Sequence, residues 1–150
     1  MNRAMTSDRT QPLAPAASLS HLAVNVSDLA RARAFYEAVL GFKVFLDKSD
    51  DPKLPRIFGR ISNAAVELIL VKDPAPDAPP RPRQLGLAGM VFRVQDLDGI
   101  CERLFTSGIV KVQHPKMFEG AKVLYVADPD GSFFELIEFP GDIQTPDEMW

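Results

Sequence analysis

Leu19-Ser20-His21-Leu22-Ala23-Val24-Asn25-Val26 sets apolar residues at every second position, the pattern of a half-buried β-strand. Leu22, Val24 and Val26 fall on one face, and His21, Ala23 and Asn25 on the other. A histidine and an asparagine on the second face fit the lining of a wet cavity better than a packed core. The pattern returns in Gly89-Met90-Val91-Phe92-Arg93-Val94, and each stretch runs into an Asp-Leu pair, Asp28-Leu29 and Asp96-Leu97. The spacing is 68 positions from His21 to Gly89 and 68 from Asp28 to Asp96.

Two later stretches keep the same period. Ala65-Val66-Glu67-Leu68-Ile69-Leu70 and Phe133-Phe134-Glu135-Leu136-Ile137-Glu138 are apolar strands with a central glutamate, and Glu67 and Glu135 are again 68 positions apart. A carboxylate inside an apolar strand is costly to bury unless it is paired, hydrogen-bonded or bound to a metal. Its recurrence at the repeat period points to two copies of one unit, each donating equivalent positions to a shared site.

The rest of the chain is ordinary for a globular protein. It has 150 residues, of which 46% are hydrophobic and 25% charged, and a net charge of −3. That balance argues against a nucleic-acid surface or a polybasic membrane anchor. No apolar run approaches membrane-spanning length, and the first residues lack the apolar core of a secretory signal. The single cysteine, Cys101, excludes an intramolecular disulfide. A cytoplasmic protein is expected.

Residues 1–18 read as a disordered extension rich in Thr, Ser, Pro and Ala. Module one spans 19–71, a Pro-rich linker 72–86, module two 87–139 and a polar tail 140–150. In module one, Ser27 or Asp28 can cap a helix whose apolar stripe is Leu29, Ala32, Phe35, Tyr36, Val39 and Leu40, with Gly41 as its stop. Strands follow at Phe42–Leu46, Arg56–Ser62 and Ala65–Val71. In module two, Leu97, Ile100, Cys101, Leu104 and Phe105 form the helical stripe, and Gly108 stops it. Strands are expected at Ile109–Val112, Lys122–Val126 and Ser132–Phe139, with Asp128-Pro129-Asp130-Gly131 as a turn before the last. The fold class is therefore α+β. Two tandem βαβββ modules form a curved mixed sheet around a cleft, with the helices outside.

The stretch His21–Leu29, Phe35-Tyr36, Leu40-Gly41-Phe42 and the closing Asp128–Gly131 with Glu135–Glu138 resemble the vicinal oxygen chelate superfamily, the glyoxalase, bleomycin-resistance and extradiol-dioxygenase group. The resemblance runs from Leu19 to Phe139. It implies a divalent metal in the cleft, bound to two oxygens of a substrate or intermediate. Carried over by residue, the family's ligand positions are His21, Glu67, Gly89 and Glu135. The glycine departs from the pattern. It argues against glyoxalase I itself, and more strongly against ring-cleaving dioxygenases, which need a histidine there.

The expected site therefore holds a divalent metal (Zn, Ni, Mn, Co or Fe(II)) on His21, Glu67 and Glu135, with open positions for substrate. Glu67 or Glu135 could leave the metal and act as a base. Arg93, on the Gly89 face, suits a substrate carboxylate or phosphate. Asn25 and the loop residue His114 complete the candidate substrate contacts, and Glu138 reads as a rim charge. Phe58, Tyr125 and Phe133 can line an apolar pocket. The expected partners are a small, possibly anionic substrate and a second copy of the chain, with no nucleic acid or membrane. The function read from this set is a glyoxalase-like lyase, isomerase or epimerase. The alternative is a metal-free binding protein of the bleomycin-resistance type.

Overall fold

The computed structural model describes residues 18–74, 86–109 and 112–150. The expected extension before Ser18 and most of the Pro-rich linker lie outside the described residues. Module one comprises β1 (Leu22–Val26), α1 (Leu29–Leu40), β2 (Lys43–Lys48), β3 (Arg56–Ile61) and β4 (Ala64–Leu70). Module two comprises β5 (Met90–Arg93), α2 (Leu97–Ser107), β6 (Lys116–Phe118), β7 (Ala121–Ala127) and β8 (Phe133–Glu138), followed by a short α3 (Pro146–Met149). Each module carries one four-stranded mixed sheet, ordered β1-β4-β3-β2 and β5-β8-β7-β6. The outer strands β1 and β5 run parallel to the central β4 and β8, and the other neighbours are antiparallel. The α+β class and the tandem βαβββ modules are as the sequence predicts.

Local chemistry explains the element ends. The Asp28 carboxylate accepts the Arg31 amide at 2.9 Å, satisfying a free donor of the first turn of α1. Asp96 does the same for Gly99 at 3.2 Å in α2. Glu138 adds a second acceptor there, taking the Leu97 amide. This corrects its reading as a rim charge: period two places Glu138 on the face of Leu136, which looks at the helix. Of the strand expected at Ile109–Val112, Val110 and Lys111 lie outside the described residues; Ile109 and Val112 are not in a strand, and the next strand among the described residues is β6, four residues later.

One hydrophobic core joins both modules. Val66 and Leu68 of β4, Leu124 and Val126 of β7 and Phe134 and Leu136 of β8 belong to it, together with α1 and α2. Phe134 is fully buried, with its ring 6.4 Å from those of both Phe35 and Tyr36. Tyr36 is also fully buried, and its hydroxyl donates to Asp128 at 2.9 Å across the modules. Burial pushes the Asp128 carboxyl above the usual carboxylate range, and burial beside that carboxylate pushes the Tyr36 phenol up. Next to it, Asp130 accepts the Ser27 amide at 3.0 Å and the Ser27 hydroxyl, and pairs with Arg31 at 3.1 Å. Burial works to raise Asp130, but the Ser27 and Arg31 contacts outweigh it and hold the group below its ordinary value.

Magnitudes separate the roles of these contacts. Truncating a buried phenylalanine such as Phe134 costs about 3–5 kcal/mol, and a hydrogen bond to a charged group contributes about 1.5–3 kcal/mol. Apolar packing therefore holds the modules together, and the polar contacts fix their register. Tyr36→Phe should destabilise the protein by about 1–3 kcal/mol, because it leaves a buried carboxylate short of a donor; urea unfolding will measure it. The depressed pKa of Asp130 contributes stability that is present above its unfolded value, about 3.9, and lost as pH falls through the folded value. An acid-unfolding series should show a shallower loss of stability below about pH 4 in Asp130→Asn than in the parent.

Candidate functional site

The faces turned away from the shared core carry the polar residues singled out by the sequence. On sheet β1-β4-β3-β2, Glu67 pairs in register with Ala23 and Phe58, so alternation places it on one face with His21, Asn25, Arg56, Phe58 and Arg60. Its neighbours Val66 and Leu68 point the other way into the core. His21 Nε2 lies 3.2 Å from Glu67 Oε2. The Glu67 side chain is 11% exposed and the His21 side chain 37% exposed, so the carboxylate is sunk behind an accessible imidazole. Two donors about 2.1 Å from one ion at a right angle stand about 3 Å apart. The His21–Glu67 separation matches that geometry.

The second Glu67 oxygen is occupied. Arg56 Nε approaches Oε1 at 3.4 Å, and the same guanidinium pairs with Asp51 at 3.3 Å. The sequence reading missed this contact. Arg56, Phe58 and Arg60 alternate on one face in the sequence, but only the Phe58–Glu67 register brings Arg56 to the carboxylate. Aromatic rings floor the arrangement. The His21 ring meets Phe58 edge-on at 5.7 Å, and Arg60 sits over Phe45 at 5.6 Å.

The equivalent face of the second sheet carries Glu135. It pairs in register with Val91 and Tyr125 and shares its face with Phe133 and Ile137. The Glu135 carboxylate beside Tyr125 raises the phenol above its ordinary value. Arg93 pairs with Ile137, so it projects from this face one position along from Glu135 and is exposed. Val91 and Tyr125 are 60% and 57% exposed, so this face is open. Gly89 precedes β5 with φ 158°, and a Cβ there would lie 3.1 Å from the Phe133 carbonyl oxygen. A side chain at position 89 must displace that backbone. His114 is exposed in the loop before β6.

Sheet pairing thus brings His21 and Glu67 together and places Glu135 with Arg93 and Tyr125 on the other sheet. Among the described residues, no group of three or more His, Cys, Asp or Glu side chains stands close enough to hold one ion within a single chain. Cys101 is buried, with its thiol 3.4 Å from the Gln113 carbonyl oxygen, and belongs to the packing of α2. Among the described residues no helix is long and apolar enough to cross a membrane.

Known proteins share this architecture. The chain is 29% identical to the uncharacterised protein YwkD of Bacillus subtilis over 124 residues, covering 81% of this chain and 96% of YwkD. The crystal structure of a glyoxylase/bleomycin resistance protein/dioxygenase domain from Frankia superposes with a TM-score of 0.70 at 22% identity, covering 85% of this chain and 95% of that one. FosX, a fosfomycin resistance protein of Listeria monocytogenes solved with Mn(II) and sulfate, gives a TM-score of 0.64 at 19% identity over 87% and 95% of the two chains. The sequence model of one family matches residues 18–136, from the start of the first module to the middle of β8. With its tandem βαβββ modules and its two glutamates at the repeat period, the chain belongs to the Glyoxalase/Bleomycin resistance protein/Dioxygenase superfamily.

Proposed function

We propose that this protein is a divalent-metal enzyme of the glyoxalase-like type, acting on a carbonyl or enolate oxygen of a small substrate by lyase, isomerase or epimerase chemistry. The observation that carries the reading is the His21–Glu67 pair, donor atoms 3.2 Å apart on an outward face, repeated at the module period by Glu135 on the second sheet. Two copies of the chain would build each site, with His21 and Glu67 from one and Glu135 from the other, since both faces are open in the single chain. Support comes from FosX of Listeria, whose structure was solved with Mn(II).

The bound ion would supply Lewis-acid stabilisation of negative charge on a substrate oxygen. Glu135, cross-strand neighbour of Tyr125, suits the transfer of a proton at the carbon beside that oxygen. Glu67 serves as the second carboxylate of the set. Arg93, one position along from Glu135, would clamp an anionic substrate group. Asn25 and His114 stand as further polar contacts at the rim. The Arg56–Glu67 ion pair at 3.4 Å favours a second reading, a metal-free binding protein, because it neutralises the carboxylate without an ion.

Titration calorimetry with Mn(II) should detect saturable binding to the parent and its loss in both Glu67→Gln and Glu135→Gln. Binding should also raise the melting temperature by mass action. Mixing the two variants under subunit exchange should restore about a quarter of the parental capacity, since random pairing in a two-fold dimer gives one intact site in half of the dimers. Parental protein that binds no divalent ion would leave the binding-protein reading standing. Binding with no recovery on mixing would place the whole site within one chain.

A further inference from the structure

The edge strand β2 of the first sheet carries a β-bulge. Val44 pairs with Gly59 and Leu46 with Phe58, so Phe45 and Leu46 together face the single residue Phe58. The Phe45 ring lies 6.1 Å from the Phe58 ring, which puts it on the His21–Glu67 face. Phe45 is 56% and Leu46 41% exposed. The bulge thus turns an extra apolar side chain outward, beside the candidate metal ligands rather than into the core.

Register sets two rows across this face. One runs through Glu67, Phe58 and the Phe45–Leu46 pair. The next runs through Ala65, Arg60 and Lys43, with His21 at its far end, one position before the Leu22–Val66 pair. Phe58 therefore links the ligand pair to the bulge: its ring is 5.7 Å from the His21 ring and 6.1 Å from the Phe45 ring. Arg60 and Lys43 stand directly opposite one another, both exposed. Like charges so placed destabilise a sheet pair. Among the described residues neither is paired with a carboxylate, whereas Arg56, opposite Lys48, is balanced by Asp51 and Glu67. The Arg60 guanidinium lies 5.6 Å from the Phe45 ring, so cation and apolar shelf adjoin. With strands about 4.8 Å apart, the Arg60 backbone stands about 10 Å from that of His21, and only the small Ala65 lies between them.

We propose that this shelf is a subsite for the remote end of the substrate: Arg60 and Lys43 take a phosphate group, and Phe58, Phe45 and Leu46 carry an apolar segment that leads from it toward the His21–Glu67 pair. The substrate class is then an extended phosphate monoester, its charged group separated from the reacting oxygen by an apolar segment that crosses two strands. A doubly charged phosphate supplies what the opposed cations lack, and the planar fork of arginine suits its oxygens. The two phenylalanines and the leucine offer apolar area that a compact ligand leaves wet. The inference rests on the reading of the His21–Glu67 face as the substrate face, but needs neither a metal nor a second copy of the chain.

The test titrates the protein with methyl phosphate and hexyl phosphate, without added metal, and reads binding by calorimetry and by NMR shifts of the β2 and β3 amides. The parent should bind hexyl phosphate at least about fivefold more tightly. Phe45→Ala should lower that preference below about twofold with methyl phosphate affinity unchanged, and Leu46→Ala should lower it in the same direction. Arg60→Gln should weaken both ligands at least about fivefold and keep the preference between them. No preference in the parent, an unaltered preference in both shelf variants, or parental methyl phosphate affinity in Arg60→Gln would overturn the proposal. Mn(II) titration of the parent keeps the two readings apart. Chain-length selectivity without Mn(II) binding leaves the subsite and removes the metal enzyme, and Mn(II) binding without that selectivity does the reverse.

Discussion

Tyr36 places a phenol where no water reaches it, and the partner it finds, Asp128, comes from the other module. A buried phenol and a buried carboxylate each carry a large desolvation cost when left alone. Together they satisfy one another, and the Asp130 and Ser132 amides donate to the second Asp128 oxygen at 2.9 and 3.0 Å. One aspartate thus shapes the turn before β8 and ties that turn to α1. The position of β8, and with it Glu135, follows from this junction.

The junction also sets which faces are free. Both sheets give their helix-side residues to the common core, so both polar faces are left outside it. The exposure of His21 and the openness around Glu135 follow from this packing, while Glu67 lies sunk beneath His21. A site that needs all three must therefore draw on more than the arrangement within one chain, which is why the second copy enters the functional reading.

Much of this was legible in the sequence because it rests on local rules. The period-two strands β1, β4 and β8, the helical stripes with their Asp caps, and the 68-residue repeat each need only neighbouring residues to be read. What escaped depends on register or on weak signals. The strand β6 is three residues long with no buried residue, so no buried face marks it. Arg56 reaches Glu67 only through cross-strand pairing. The segment after Phe139 packs through Ile143, Met149 and Trp150, spread without period among acidic and turn residues. Glu138 was readable: its parity differs from that of Glu135, which assigns it to the helix side.

The long reach of the Tyr36–Asp128 contact, 92 positions along the chain, has a kinetic side. During synthesis α1 emerges early, with Phe35 and Tyr36 on its surface, long before the turn and strand that will cover them. Until then the first module presents an apolar helix face with no cognate lid, a surface on which nascent chains associate wrongly. Closing so large a loop is entropically slow, and folds dominated by distant pairings reach the native state late. The chain should therefore depend on holding chaperones more than its modest size suggests.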